Sequence, residues 1–307
     1  MAHVYDMVII GGGPGGYSAA LYAARAGLDV VVLERLSAGG QMAMSHQIDN
    51  YPGFENGIDG FTLGMQMQEG AERFGAKTEY AEVKSLDLHA EPKQIETSEG
   101  TYHGKTVIDA AGAGPRKLGL PEEEKLAGRG VHYCAACDGM FYKGKTVVVV
   151  GGGNSAAADA MYLSRLCEKV IVVHRRDTLR ATKIYHEPLM AAENVEFRWN
   201  STVSQLLSDG KVTGVVLKDV NTGEESKLSC DGVFVSIGRK PATDLVAGQL
   251  ELDKGGYIVA GESTKTNIPG VYAVGDVRTK ELRQIVTAVA DGAAAAHAAE
   301  QYLAEKK

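Results

Sequence analysis

The sequence predicts an α/β fold with two Rossmann-like nucleotide-binding domains, one of them inserted into the other. A unit of strand, glycine-rich turn, helix and strand occurs twice, and a further strand with a Gly-Asp turn stands near the C-terminus. Glycine makes up 38 of 307 residues, about 12% against the usual 7% or so. Hydrophobic residues make up 44% of the chain, which is enough to fill two cores.

The first unit covers residues 4–34. An apolar run at 4–10 stops at a Gly-Gly-Gly-Pro-Gly-Gly turn, residues 11–16, and an alanine-rich stretch at 17–26 leads to a second apolar run at 29–33 that ends at Glu34. Glycines at the first, third and sixth positions of the turn match the dinucleotide fingerprint, in which they allow a tight turn and close approach of a pyrophosphate. The acid after the second strand would accept hydrogen bonds from the ribose hydroxyls. A glycine-rich turn that binds no ligand is the alternative.

The second unit repeats this order from residue 146. The strand 146–150 runs into the turn 151–156, a helix extends to about Cys167, and the strand 170–173 ends at His174-Arg175-Arg176. Glu34 lies 23 positions after the first glycine of its turn, and His174 lies 23 positions after Gly151. The acid of the first unit is therefore replaced by a basic cluster in the second.

This basic cluster predicts which nucleotide each unit binds. A carboxylate would repel a 2′-phosphate, whereas Arg175, Arg176 and Arg180 could hold one through charge-assisted hydrogen bonds. The first unit should therefore bind an unphosphorylated ribose and the second NADP(H). The alternative is that the arginines form only a solvated charged face.

A third marker near the C-terminus sets the domain order. Residues 270–276 form a strand followed by a Gly-Asp turn, and a helix should begin near Ile285. We predict that this segment rejoins the first domain, which then consists of residues 1–113 and 245–307, with residues 114–244 inserted as the second domain.

Cys134 and Cys137 form a CxxC pair just before the second glycine turn. Such a pair can be redox-active or can be half of a zinc site, but zinc needs four ligands, and no second CxxC or histidine pair at metal spacing accompanies it. Asp138 follows directly and could give and accept protons during thiol release, or could cap the next turn. Cys167 and Cys230 lie in apolar patterns and should be buried and inert.

Charge and hydropathy argue against several classes of protein. The formal net charge is −7, so the chain has no general attraction to nucleic acid or anionic membranes. No segment approaches the length of a membrane-spanning helix, and the N-terminus lacks the pattern of a secretion signal. We expect a cytoplasmic protein that binds neither nucleic acid nor membrane.

Together the motifs CAACDG, GGGNSA and HRRDTLRA resemble those of the low-molecular-weight NADPH-dependent thioredoxin reductases of bacterial type. The N-terminal motifs GGGPGG and NYPG and the C-terminal motifs GDV and RQI also resemble those of this family. The resemblance implies a homodimer that reduces thioredoxin or a thioredoxin-like disulfide protein. It implies that FAD is bound by residues 1–113 and 245–307 and NADPH by residues 114–244, and that Cys137 faces the flavin while Cys134 attacks the partner disulfide.

The resemblance also implies particular cofactor contacts. Those to FAD would be Gly11, Gly13, Pro14, Gly16, Glu34, Gly40, Gln41, Asn50, Val83, Gly112, Gly275, Asp276, Arg283, Gln284 and Ile285. Those to NADPH would be Gly151, Gly153, Asn154, Ser155, Ala156, His174, Arg175, Arg176 and Arg180.

The chain departs from the family pattern at a few positions. Asp109 stands in a strand that is usually apolar, Ala111 replaces a usual threonine, His132 a usual serine and Ala290 a usual glycine. These changes bear on flavin surroundings and packing rather than on the electron route.

Three other functions share part of the pattern. A flavoprotein of a peroxide-reducing system has the same core but normally carries a thioredoxin-like extension before the first glycine turn. A ferredoxin-type NADP reductase lacks the cysteine pair. A non-enzymatic flavin-binding protein would leave the cysteine pair and the arginines unexplained.

Overall fold

The computed structural model describes residues 3–45 and 47–306. The chain forms two compact units, the first made of residues 1–114 and 240–307 and the second of residues 115–239. The chain passes between the units at Ala113–Pro115 and Arg239–Pro241, and these two short strands pair with each other.

Strands and helices alternate through much of both units. In chain order the strands are β1 Val4–Ile10, β2 Val30–Glu34, β3 Lys77–Tyr80, β4 Val83–Asp87, β5 Lys93–Thr97, β6 Thr101–Asp109, β7 Ala113–Pro115, β8 Val131–His132, β9 Thr146–Val150, β10 Lys169–Val173, β11 Val195–Arg198, β12 Ser201–Asp209, β13 Lys211–Asp219, β14 Glu225–Ser229, β15 Gly232–Val235, β16 Arg239–Pro241 and β17 Val271–Ala273. The α-helices are α1 Pro14–Arg25, α2 Gly60–Glu72, α3 Glu123–Leu126, α4 Ala135–Asp138, α5 Asn154–Ser164, α6 His186–Ala191 and α7 Ile285–Glu305. Short 3₁₀ helices cover Gly40–Met44, Gly139–Tyr142, Lys183–Tyr185 and Gly275–Val277.

The first unit is built on one sheet with the order β3-β2-β1-β6-β5-β4, to which β17 is added through β6. Strands β3, β2, β1, β6 and β17 are parallel, while β4 and β5 form an antiparallel extension. The alanine-rich faces of α1 and α7 pack together on this sheet. Their approach is so close that a Cβ on Gly292 of α7 would lie 2.2 Å from the carbonyl oxygen of Gly15.

The second unit contains a parallel sheet, β11-β10-β9-β15-β8, and an antiparallel sheet, β12-β13-β14. Strands β1 and β9 hold equivalent places because each is followed by a glycine turn and a helix. The predicted α/β fold with two Rossmann-like domains is confirmed. None of the helices in the described ranges is long and apolar enough to cross a membrane.

Element ends differ from the sequence prediction in physically clear ways. Helix α1 begins at Pro14, three residues earlier than predicted, because Gly13 is its N-cap and proline suits the first helical position. Helix α5 ends at Ser164, so Cys167 lies beyond the helix. Cys230 precedes β15 rather than lying within a strand. Both thiols are buried as predicted.

Candidate active site

The two cysteines of the CxxC pair are joined by a disulfide bond, with their Cα atoms 5.3 Å apart. Cys134 is the N-cap residue of α4, and its carbonyl oxygen accepts hydrogen bonds from the amides of Cys137 and Asp138. This one-turn helix brings the two side chains to the same side, which the CxxC spacing allows. The pair is therefore closed as a disulfide, and no group of three or more His, Cys, Asp or Glu side chains that could hold a metal ion occurs within the described ranges.

The carboxylate of Asp138 is held by a histidine that sequence reasoning did not connect with it. His132 Nδ1 lies 2.9 Å from Asp138 Oδ2, and His132 Nε2 lies 2.7 Å from the hydroxyl oxygen of Tyr142. In the sequence His132 is only a departure from the family pattern, and no motif marks Tyr142. A histidine six residues before an acid carries no spacing rule that would have predicted this contact.

The remaining cysteines are poor nucleophiles. Burial raises the pKa of the Cys167 thiol to about 11. Burial, followed by the charge of Asp231, raises the pKa of the Cys230 thiol to about 12. Because the thiolate is the reactive form, both residues should be inert at neutral pH. The prediction that they are buried and unreactive fits these values.

The first glycine turn is shaped to bring backbone close to a ligand. Gly11 has a φ of +101°, and a Cβ there would lie 2.6 Å from the carbonyl oxygen of Ala110. A Cβ on Gly16 would lie 2.0 Å from the carbonyl oxygen of Gly11. A Cβ on Gly13, in contrast, would meet no other atom of the described residues within 4 Å. Gly13 caps α1 with no side-chain hydrogen bond. The first-turn amides of α1 thus meet no capping side chain and can bind an anion.

Several predicted FAD contacts meet around this turn. Glu34 Oε2 accepts from the Gly12 amide at 2.7 Å, and Oε1 accepts from the Leu36 amide at 3.0 Å. The amide of Gly39 donates to Gly12, which brings Gly40 to the turn, and the Gln41 side-chain amide donates to the carbonyl of Ala113.

Other predicted FAD contacts lie elsewhere in the same unit. Asn50 Nδ2 donates to Gln284 Oε1 at 3.0 Å, at the start of α7 and next to Ile285. The Arg283 guanidinium lies 4.1 Å from the centre of the Tyr257 ring, and its buried Nε has no hydrogen-bond partner within residues 3–45 and 47–306. Val83 is half-buried against the apolar cluster under β1 and β2. The Gly112 carbonyl accepts from the Ala242 amide.

A buried ionic cluster that was not predicted supports the Gly275-Asp276 turn. Asp291 of α7 accepts from the Gly275 amide at 2.8 Å, from Arg278 at 2.9 and 2.6 Å and from Lys280 at 2.7 Å. Burial alone would raise the pKa of Asp291, but the hydrogen bonds from Arg278, Lys280 and Gly275 lower it below its ordinary value. An acid in the first half of the alanine-rich α7, Asp291, was the only hint of this cluster in the sequence.

The second glycine turn is constrained in the same way as the first. Gly151 has a φ of +146°, and a Cβ there would lie 2.4 Å from the carbonyl oxygen of Ser236. A Cβ built on Gly153 would meet no other atom of the described residues within 4 Å. Gly153 is the N-cap of α5, the helix that begins with Asn154, Ser155 and Ala156. The amide of Arg180 donates to the Gly152 carbonyl at 2.7 Å, so the arginine segment lies against the turn.

His174 differs from the arginines that follow it. It is 5% exposed, and its ring packs so closely on the glycine turn that a Cβ on Gly152 would lie 2.4 Å from it. Burial first, and then the positive charges of Arg180, Arg176 and Arg175, lower the pKa of His174. The ring is therefore neutral at neutral pH, and its buried Nε2 has no partner among the described residues. Arg175, Arg176 and Arg180 are exposed.

Two similar glycine turns, each at the start of a helix, and a disulfide in one of the two units define the class of dinucleotide-binding disulfide oxidoreductases. Residues 5–292 match the family model of the pyridine nucleotide-disulphide oxidoreductases.

Comparisons with individual proteins give the narrower family. The chain is 46% identical to a thioredoxin reductase of Listeria monocytogenes over 99% of this chain and 95% of the relative. It is 45% identical to a thioredoxin reductase of Bacillus subtilis over 98% of this chain and 96% of the relative. The crystal structure of a thioredoxin reductase from Streptococcus pyogenes superimposes with a TM-score of 0.91 at 42% identity, over 99% of this chain and 100% of the other. The chain therefore belongs to the thioredoxin reductase family of the pyridine nucleotide-disulphide oxidoreductases.

Proposed function

We propose that this protein uses NADPH and bound FAD to reduce its Cys134–Cys137 disulfide and that the resulting thiols reduce the disulfide of thioredoxin. The observation that carries the proposal is the disulfide itself, in a member of the thioredoxin reductase family whose two units each hold a nucleotide-type glycine turn. Bound FAD would supply two-electron transfer between the nucleotide and the disulfide.

The residues of the first unit fit FAD. The uncapped first turn of α1 would hold the pyrophosphate, and Gly11 and Gly16 keep the helix close enough to the strand for this. Glu34 already accepts two amide hydrogen bonds, so its carboxylate is fixed at the end of β2, where a ribose would lie. The buried Arg283 Nε has no hydrogen-bond partner among the described residues, which favours a ligand near the start of α7.

The residues of the second unit fit NADPH. The start of α5 offers amides without a capping side chain, next to the open space at Gly153. The three arginines after β10 supply guanidinium groups for a 2′-phosphate. The buried His174 Nε2, which has no hydrogen-bond partner among the described residues, lies beside the turn. We propose that His174 acts here as a neutral hydrogen-bonding group rather than as a cation.

The surroundings of the disulfide suit a protein substrate. Met140 and Phe141 follow Asp138 after one glycine, and these two residues are 50% and 45% exposed. Exposed apolar side chains next to a reactive group favour docking of a folded partner, because aromatic residues and methionine are enriched in interface centres. Thioredoxin, which presents its own disulfide at its surface, is the partner we propose.

Partner dependence tests this function. NADPH oxidation should be slow with the protein alone and should become rapid and saturable when oxidised thioredoxin and a terminal disulfide reagent are added. A rate that does not depend on thioredoxin, at any concentration, would contradict the proposed partner. A preparation that binds no flavin would contradict the assignment of the first unit.

Replacing both Arg175 and Arg176 with alanine should raise the KM for NADPH at least about tenfold, since each lost charge-assisted hydrogen bond is worth about 1.5–3 kcal/mol. The KM for NADH should change little, because NADH has no 2′-phosphate. Steady-state kinetics with both nucleotides measures the difference. The matched control is Arg165→Ala, which removes an exposed arginine at the end of α5. Equal effects on the two nucleotides would refute the phosphate assignment.

We also propose that the protein is a cytoplasmic homodimer, as the family resemblance implies. Light scattering of the FAD-loaded protein should give twice the chain mass of 32.5 kDa. A monomeric mass over the working concentration range would contradict this part of the proposal.

A further inference from the structure

The His132 side chain connects Asp138 with Tyr142 through a part-buried hydrogen bond on one side and a buried one on the other. Its two ring nitrogens lie 2.9 Å from Asp138 Oδ2 and 2.7 Å from the Tyr142 hydroxyl oxygen. The His132 side chain is 6% exposed and that of Asp138 is 19% exposed. Water therefore has little access to the bond that joins them, and the carboxylate depends on the histidine for its orientation.

Aromatic packing fixes the imidazole ring. His132 is paired in register with Phe234 across β8 and β15, and the two rings stack with centroids 5.3 Å apart. The Tyr142 ring meets His132 edge-on at 5.1 Å and Phe234 edge-on at 5.4 Å. Three rings in mutual contact leave the imidazole no room to turn, so its nitrogens stay directed at Asp138 and Tyr142.

The hydrogen bonds define which nitrogen carries a proton. An ionised carboxylate can only accept, so Nδ1 must donate to Asp138. In the neutral ring Nε2 then accepts from the Tyr142 hydroxyl. Burial, then the charges of Asp138, Asp231 and Cys230, raise the pKa of Tyr142 to about 12, which keeps this hydroxyl protonated. Lys145 lies 5.3 Å from the Tyr142 ring centre and is the one cation in contact with these rings among the described residues.

We propose that His132 is a positioning residue for Asp138 and that the two share one exchangeable proton beside the Cys134–Cys137 pair. This inference rests on the proposed function and on the sequence-based prediction that Asp138 gives and accepts protons during thiol release. An imidazole can both give and accept a proton, so a histidine bonded to a carboxylate can pass protons to it and receive them from it.

The proton balance follows from the bonds. While the disulfide is intact, the His132 ring carries a proton on both nitrogens, with Nδ1–H donating to Asp138 and Nε2–H donating to the Tyr142 oxygen. When two electrons break the S–S bond, one sulfur leaves as a thiolate and the other takes one of these protons through Asp138. Asp138 is then ionised and His132 neutral, with Nδ1–H donating to the carboxylate and Tyr142 donating to Nε2. When the thiols reduce a partner disulfide, the two electrons leave with the partner, and its two sulfurs are released as thiolates that take their protons from water. The thiol proton of this protein returns through Asp138 to the His132 ring.

The test measures thiol reactivity of the FAD-loaded full chain without NADPH or thioredoxin. Each variant is reduced with dithiothreitol, freed of reductant, and treated with iodoacetamide at a series of pH values, and mass spectrometry gives the alkylation rate at each cysteine. His132→Phe keeps the aromatic stack but removes both hydrogen bonds. Without the Nδ1–H donor, the negative charge of Asp138 is no longer shared with a hydrogen-bond partner and disfavours a thiolate beside it. The pH at which the alkylation rate is half-maximal should therefore rise by about one unit.

Three further variants separate this role from simple packing. Tyr142→Phe should move the midpoint in the same direction by less, because it removes only the distal bond. In an Asp138→Asn background, His132→Phe should cause no further shift, because the two residues act as a pair. The matched control is Tyr133→Phe, which removes a hydroxyl bonded to Glu123 at 2.9 Å outside this chain of bonds and should leave the profile unchanged.

Turnover gives a second measurement. His132→Phe should lower NADPH-driven thioredoxin reduction about tenfold, a part of the 10²–10⁴-fold that a positioned acid–base group contributes. A folded His132→Phe protein whose alkylation profile coincides with the wild-type profile would overturn the inference, as would an equal shift in Tyr133→Phe. If thioredoxin is not reduced by the wild type but the shift appears, the proposed function fails and the pairing of His132 with Asp138 stands.

Discussion

Cys134→Ser is expected to lower thioredoxin reduction at least about a thousandfold, as removal of a covalent nucleophile commonly does. NADPH should still bleach the flavin absorbance, because the nucleotide and FAD residues lie in parts of the chain that the change does not touch. The expected result is thus a protein that accepts electrons but cannot pass them to a partner. Anaerobic titration with NADPH measures reduction of the flavin, and a thioredoxin assay measures transfer of electrons to the partner.

The matched control for this change is Cys167→Ser. Its thiol is buried and inert, with a pKa raised to about 11, and it should retain most of the turnover if the protein folds. Cys137→Ser tests the separate roles of the two cysteines. Cys134 should then form a mixed disulfide with thioredoxin that persists, because the second thiol needed to break it is missing. Thioredoxin reduction that survives in Cys134→Ser would refute the electron route.

The parts of the fold that the sequence predicted are those specified by local pattern. Strand β1, the turn at Gly11–Gly16 and α1 are consecutive, so their order and spacing are visible in the chain itself. The repeat at β9 and α5 was recognisable for the same reason, and the α/β fold with two similar domains followed. The cysteine pair needed only its own CxxC spacing.

The parts that the sequence did not predict depend on contacts between distant segments. Asp291 reaches the Gly275 amide only because α7 returns across the carboxyl end of β17, and its partners Arg278 and Lys280 come from the loop before that helix. The stack of His132 on Phe234 likewise needs β8 to pair with β15, which lies about a hundred residues further along the chain. No periodicity links such positions, so composition and spacing carry no information about them.

Asp109 is another residue whose environment is set by distant strands. It ends β6, between Ile10 of β1 and Ala273 of β17, and is 3% exposed. Its Oδ1 accepts from the amide of Ala111 at 3.0 Å, which favours the ionised form. Burial has the larger effect and raises the pKa of Asp109 from 3.8 to about 6.

Asp109→Asn is expected to stabilise the first unit at alkaline pH. The pKa of Asp109 is higher in the folded than in the unfolded protein, so the native carboxylate is unfavourable once it ionises. The destabilisation is absent below about pH 3.8, grows through the window up to about pH 6 and is constant above it. A shift of about two pKa units corresponds to about 3 kcal/mol. Asparagine keeps an oxygen that can accept from Ala111 but carries no charge.

The free energy of unfolding of Asp109→Asn should therefore exceed that of the wild type by about 3 kcal/mol at pH 8 and by about half as much at pH 5. In thermal melts followed by circular dichroism this corresponds to a gain in Tm of roughly 6–12 °C at pH 8 for a unit of this size. Glu99→Gln is the matched control, because it removes an exposed carboxylate from the hairpin of the same unit and should change Tm little at either pH. A gain that is the same at both pH values would mean that packing, and not the buried charge, distinguishes the two side chains.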